Sequence, residues 1–156
     1  MPKARLQDEI QQSKPFETPE VEAYLNLVRT NDLLEGNVAR FLKEHGISAP
    51  QYNALRILRG AGTQGLPSLA VGQRMVARVP DVTRLLDRCA AKGWIKRERS
   101  KADGRVVIAR TTAKALRLLA KLDEPLVAFH ADQLGHLSRK DLRTLTSLLT
   151  KARVAT

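Results

Sequence analysis

The chain has one cysteine, Cys89, among its 156 residues. No internal disulfide can form, and a reducing compartment suits such a sequence. Aromatic residues are almost as scarce, with one Trp, two Tyr and three Phe making up 4% of the chain. The core must therefore be built mostly from Leu, Val, Ile and Ala. No run of 18 apolar residues occurs, which argues against a membrane-spanning helix. The first five residues, Met1, Pro2, Lys3, Ala4 and Arg5, lack the apolar stretch of a signal peptide, so the expected location is cytoplasmic. His45, His130 and His136 are scattered, and no Cys or His pair has metal-ligand spacing. A phosphate-binding glycine loop and a Gly-x-Ser-x-Gly motif are also missing. These absences point away from an enzyme, and no cofactor or metal is expected. Acids are outnumbered too: 16 stand against 27 Lys and Arg, a net charge of +11. That surplus favours a polyanionic partner, either nucleic acid or an anionic membrane surface.

What is present is mostly helical pattern. Residues 1–17 are polar, contain Pro15, and read as an arm that needs a partner surface. Thr18 can then cap a helix with Pro19 at its first position and Glu20 and Glu22 at the positive end of its dipole. Val21, Leu25, Val28, Leu34, Val38, Phe41 and Leu42 keep helical spacing, so this helix should reach about Glu44 and stop near Gly46. Ser48 and Gln51 have capping-box form ahead of a short helix carrying Tyr52, Leu55 and Leu58 and ending by Gly60. Gly60, Gly62 and Gly65 mark a loop. A short helix over 68–75, a break at 76–78 and a second helix over 80–92 stopped by Gly93 make a helix-turn-helix outline.

After Trp94 the period changes to two. Residues 95–99 and 106–111 read as strands joined through Asp103 and Gly104, a two-stranded β-hairpin. A long helix over 112–135 follows, with Leu116, Leu119, Leu122 and Leu126 on one stripe and a kink at Pro125. Ser138 and Asp141 open a last helix that reaches about Arg153. The fold class is mainly α with a small β component.

Residues 66–112 hold eleven bases against four acids, Asp81, Asp87, Glu98 and Asp103. The positive charge is thus concentrated on the helix-turn-helix and hairpin. Arg84 and Arg88 share one face of the second helix, while Val82, Leu85, Leu86 and Cys89 form its apolar side. B-DNA's major groove admits such a helix: Arg can bond guanine bidentately, and Thr offers a hydroxyl and a methyl. Flanking Lys and Arg would neutralise phosphates, and an Arg on a loop tip suits the minor groove. A basic architectural or RNA-binding protein is the alternative. The basic segment offers it no aromatic stacking position apart from Trp94, which is expected to pack under the hairpin.

The run Val79-Pro80-Asp81-Val82-Thr83-Arg84-Leu85-Leu86-Asp87-Arg88, followed by Lys92-Gly93-Trp94-Ile95 and by Asp103-Gly104-Arg105 in the hairpin, resembles the MarR family of bacterial winged helix-turn-helix regulators. The likeness spans about Leu25 to Arg153, with Cys89 where members commonly have Leu and Ala115 where they have Gly. It implies one domain over 1–156: a winged DNA-binding lobe over 48–112, and dimerisation helices over 1–47 and 113–156. It further implies a homodimer on a pseudo-palindromic operator in double-stranded DNA, repressing until a small aromatic or anionic effector releases it. The expected DNA-contacting residues are Arg78, Pro80, Asp81, Thr83, Arg84, Arg88, Lys101, Asp103 and Arg105. In the family's pattern Asp103 is the acid that orients the basic side chains of the wing. Cys89, on the apolar face, is expected to be a buried packing thiol.

Overall fold

The computed structural model describes residues 5–154 and divides into two compact units, Met1–Ala49 and Pro50–Thr156. The first unit holds α1 (Leu6–Glu9) and α2 (Pro19–Glu44). The helix α2 starts where its capping signals lie, with Thr18 extended and its hydroxyl accepting from the Val21 N–H at 3.4 Å. That hydroxyl is also the main cause holding the Glu20 carboxyl below its ordinary pKa. The helix ends through Gly46, whose N–H bonds Lys43 O, and Ile47 N–H reaches back to Leu42 O. Leu42 and Ile47 are both buried, the apolar pair that accompanies this type of helix end.

The arm over 1–17, expected to need a partner surface, is corrected over 6–9, which form α1 within the chain. Leu6 supplies an apolar residue that becomes buried, and Asp8 accepts from the Arg5 N–H at the start of α1. Glu9 pairs with Arg29 of α2 at 3.4 Å. Residues 1–4 of that arm lie outside the described residues.

The second unit contains α3 (Ala49–Gly60) from Pro50 onward, β1 (Leu66–Pro67), α4 (Ser68–Arg74), α5 (Val82–Ala91), β2 (Ile95–Arg99), β3 (Val107–Thr111), α6 (Ala113–Leu134) and α7 (Arg139–Val154). A turn of 3₁₀ helix (Gly62–Gln64) follows α3. The core is aliphatic, as the composition requires: Leu55 and Leu58 of α3, Val71 of α4, Leu85, Leu86 and Cys89 of α5, and Leu119 and Leu122 of α6 are all fully enclosed. Each buried Leu contributes about 1.5–3 kcal/mol by leaving water. On α6 the inward stripe is Ala115, Leu119, Leu122 and Leu126. Leu116, expected in that stripe, is 42% exposed, because one residue is a 100° step around the helix. The helix runs unbroken through Pro125. Arg59 of α3 and Asp123 of α6 form a two-pronged ion pair at 2.8 and 2.9 Å. Hydrogen bonding to each other raises the Arg59 pKa and lowers that of Asp123. In α7, Ser138 and Asp141 cap each other's N–H groups at 3.1 and 3.3 Å, as the spacing predicts.

The two-stranded hairpin is corrected to a three-stranded antiparallel sheet in the order β1-β3-β2. Leu66 pairs with Ala109 and Pro67 with Ile108. Two residues are too few to show alternation, and Pro67, lacking an N–H, fits only an edge strand. Gly65 makes the pairing possible. At φ +65° and ψ −171° it stands in a region reserved for glycine, and a Cβ there would lie 2.3 Å from Ala109 O. Among the described residues no helix is long and apolar enough to cross a membrane.

Candidate nucleic-acid interface

Two short helices and the sheet present the basic residues. The first, α4, follows β1 directly and ends at Met75, whose extended backbone breaks the helix. The next N–H, of Val76, bonds Asn53 Oδ1 of α3 at 3.0 Å and ties the turn down. The second helix, α5, begins at Val82, two residues later than Pro80. Asp81 stays extended, and its carboxylate accepts from the Arg84 N–H at 2.8 Å. At the other end, Gly93 N–H bonds Ala90 O and Trp94 N–H bonds Cys89 O. Gly93 sits at φ +72°, the left-handed position this helix end needs, and Cys89 and Trp94 are both buried beside it.

Helical period then separates two faces of α5. Leu85, Leu86 and Cys89 are buried, while Thr83, Arg84, Asp87 and Arg88 are exposed. Desolvation pushes the Cys89 thiol up to about 11, outweighing the opposite pull of Lys92 and Arg88. It is the packing thiol that its position on the apolar face predicts. Trp94 lies under Lys92, whose Nζ is 4.5 Å from the ring centroid.

The strand β2 alternates in the same way. Ile95 is buried, and Arg97, two residues on, pairs with Asp87 of α5 and so joins the sheet to the helix. Arg110 of β3 pairs with Glu98 at 3.1 Å and donates to Thr63 O at 2.8 Å. Beyond Arg99 the chain turns through Ser100, whose Oγ accepts from Ala102 and Asp103. Asp103 Oδ1 accepts from the Arg105 backbone N–H at 2.9 Å, and Arg99 donates to Gly104 O at 2.8 Å. Asp103 therefore shapes the turn through the backbone. All four acids of the segment are engaged in this way: Asp81 and Asp103 on backbone, Asp87 and Glu98 on Arg97 and Arg110. Among the described residues, the ion pairs include none of Arg78, Arg84, Arg88, Lys101 and Arg105.

Comparison with known proteins bears on this arrangement. The protein-family model of the MarR family matches residues 45–106. Two HTH-type transcriptional regulators of Bacillus subtilis are similar. YfiV is 33% identical over 67% of this chain, which spans only 58% of that protein. YkoM is 31% identical over 88% of this chain and 90% of its own length. Among solved structures, a MarR transcription factor from Planctomyces limnophilus is 37% identical, covers 87% of this chain and 98% of its own, and superposes with a TM-score of 0.68. The chain belongs to the MarR family. The fold is also shared by a mutant MarR from E. coli complexed with operator DNA, at TM-score 0.73 and 21% identity over 96% of this chain and 99% of that one.

The structure places the expected residues in three groups. Thr83, Arg84 and Arg88 lie on the exposed face of α5. Arg78, Pro80 and Asp81 line, with Thr83, an open cleft of about 560 Å³ between α4 and the start of α5. Lys101, Asp103 and Arg105 are exposed at the tip of the wing. Sequence reading missed Leu69 and Gln73, which line the same cleft from α4, and Arg97, the link from wing to helix. The signal for Arg97 was present in the alternation of Ile95, Arg97 and Arg99 along one strand face. No periodicity marks Leu69 and Gln73, because a seven-residue helix is too short to display one.

Proposed function

We infer that this MarR-family regulator is a sequence-specific DNA-binding repressor that acts as a homodimer on a pseudo-palindromic operator. One observation carries the reading: the lobe exposes Thr83, Arg84 and Arg88 on one helix face, and every nearby acid is already engaged elsewhere. In the reading, α5 enters the major groove, with Arg84 and Thr83 on base edges and Arg88 and Arg78 on the backbone. Pro80 and Asp81 fix where the helix begins. The wing lies beside it, with Arg105 in the minor groove and Lys101 on phosphate, while Asp103 holds the turn.

Dimerisation is supported by apolar surface left on the long helices: Tyr24 and Val28 of α2, Val127 of α6, and Leu145 and Leu148 of α7. No residue of α7 is buried. Two reading helices about 34 Å apart would then meet successive major grooves. Relief by a small aromatic or anionic effector, which the family resemblance implies, completes the reading. The architectural alternative gains nothing from Trp94, which is buried and offers bases no platform.

Substituting Arg105→Ala tests the wing. Affinity for a duplex selected by the wild-type protein should fall while sedimentation still reports the dimer. Undiminished affinity would remove the wing from the interface.

A further inference from the structure

The end of α5 is held from outside by the start of α6. Thr112 N–H bonds Trp94 O at 2.9 Å, and Thr112 Oγ1 donates to Gly93 O at 2.7 Å. The same oxygen accepts from the Ala115 N–H, so Thr112 also caps α6. Two residues on, Lys114 Nζ donates to Lys92 O at 2.8 Å. Lys92 is the residue that closes α5, where the helix dipole leaves partial negative charge and carbonyls in need of donors. Both contacts act on the stretch from Lys92 to Trp94 that sets the direction in which the chain leaves the helix.

We propose that Lys114, with Thr112, is a positioning residue for DNA recognition: it clamps the C-terminal end of α5 to the long helix α6 and so fixes the angle at which Thr83 and Arg84 are presented. Lys114 need not touch DNA. Its ammonium stabilises the helix end by charge and hydrogen bond, and the capping role of Thr112 makes the first turn of α6 continuous with the clamp. A shift of α6 is then transmitted to the reading face as a rigid movement, because Leu85, Leu86 and Cys89 pack the rest of α5 into the core.

This rests on the DNA-reading role of α5, so the experiment separates the two. Wild-type protein, Lys114→Gln, Lys114→Arg and Thr112→Val are titrated by fluorescence anisotropy against a duplex selected by the wild type from a random pool, and against a random duplex of equal length. Amide hydrogen exchange is followed over residues 89–94. Lys114→Gln should bind the selected duplex about tenfold more weakly, the scale of losing a cation at a helix end in each of two protomers. Random-duplex affinity should change less than about twofold and the salt slope should not change, since no phosphate contact is lost. Exchange over 89–94 should accelerate, and Lys114→Arg should restore both affinity and protection. Thr112→Val should lower the affinity ratio in the same direction. Equal losses on both duplexes with a shallower salt slope would make Lys114 a phosphate contact and overturn the proposal. Unchanged exchange would overturn it as well. A wild type with no preference for any duplex would instead sink the DNA-reading account, and the clamp's role in recognition would fall with it.

Discussion

Replacing Gly65 by Ala should damage the winged lobe far more than the same change at Gly62, although both glycines have positive φ, +65° and +59°, and lie three residues apart. An Ala at Gly62 meets nothing within 4 Å, so its cost is that of a left-handed non-glycine residue, about 1 kcal/mol. At Gly65 the added Cβ would sit 2.3 Å from Ala109 O, 2.6 Å from Arg110 Cγ and 2.8 Å from Ile108 Cγ2. The first of these is backbone in the central strand and cannot swing aside. The strain of a glycine-only region, about 1–3 kcal/mol, then adds to the loss of the β1–β3 pairing or a comparable shift of β3, giving about 3–5 kcal/mol in total. With a urea dependence of about 1.5 kcal/mol per M, the unfolding midpoint should fall by about 2–3 M for Gly65→Ala and by less than 1 M for Gly62→Ala. Because β1 runs directly into α4, the variant should also lose DNA affinity. Equal midpoints for the two variants would refute the close approach of Gly65 to β3.

Lys101→Ala in a dimer removes two phosphate contacts, so the slope of log affinity against log salt should become shallower by about 1.8, with base preference kept. An unchanged slope would take Lys101 off the backbone. The Asp123 carboxyl titrates below its ordinary range because Arg59 bonds its charged form. Its stabilisation is therefore present above the unfolded value, near about 4, and is lost as pH falls through the lower folded value. Asp123→Asn should cost about 0.5–1 kcal/mol at neutral pH, discounted for the partial exposure of the pair, and less at an acid pH below the ordinary carboxylate range. Urea titrations at the two pH values check this, and a cost independent of pH would contradict it. The Cys89 thiol, buried and raised to about 11, should be alkylated by iodoacetamide at neutral pH only as fast as the protein opens. Reaction at the rate of the denatured chain would contradict its enclosure.

Much of this was legible from local signals, each of which combines a period with a stop. Thr18-Pro19, the aliphatic spacing of α2, the Lys-Gly-Trp end of α5 and the alternation of β2 all act within a few residues, and the structure follows them closely. What escaped depends on partners distant in sequence. The strand at Leu66 exists only because Ala109 and Ile108 lie beside it, and the pairings Arg97 with Asp87 and Arg59 with Asp123 require the tertiary arrangement. Leu6 carries no sequence signal, because one apolar residue in a polar stretch has no period. The carboxylates of Asp81 and Asp103 accept from the backbone N–H groups of Arg84 and Arg105. That is the usual role of Asp ahead of a helix or within a turn.

Competition binding decides whether the face bearing Thr83 and Arg84 reads base sequence. Labelled duplex selected by the wild type is bound to the protein and challenged with unlabelled selected duplex or with random duplex of equal length, for wild type and for Arg84→Ala. The selected competitor should displace the wild type at a concentration at least a thousandfold lower, about the lower end for specific over non-specific binding. Arg84→Ala should shrink this ratio by about tenfold or more. Equal displacement by random duplex, or a ratio untouched by Arg84→Ala, would contradict base reading by this face.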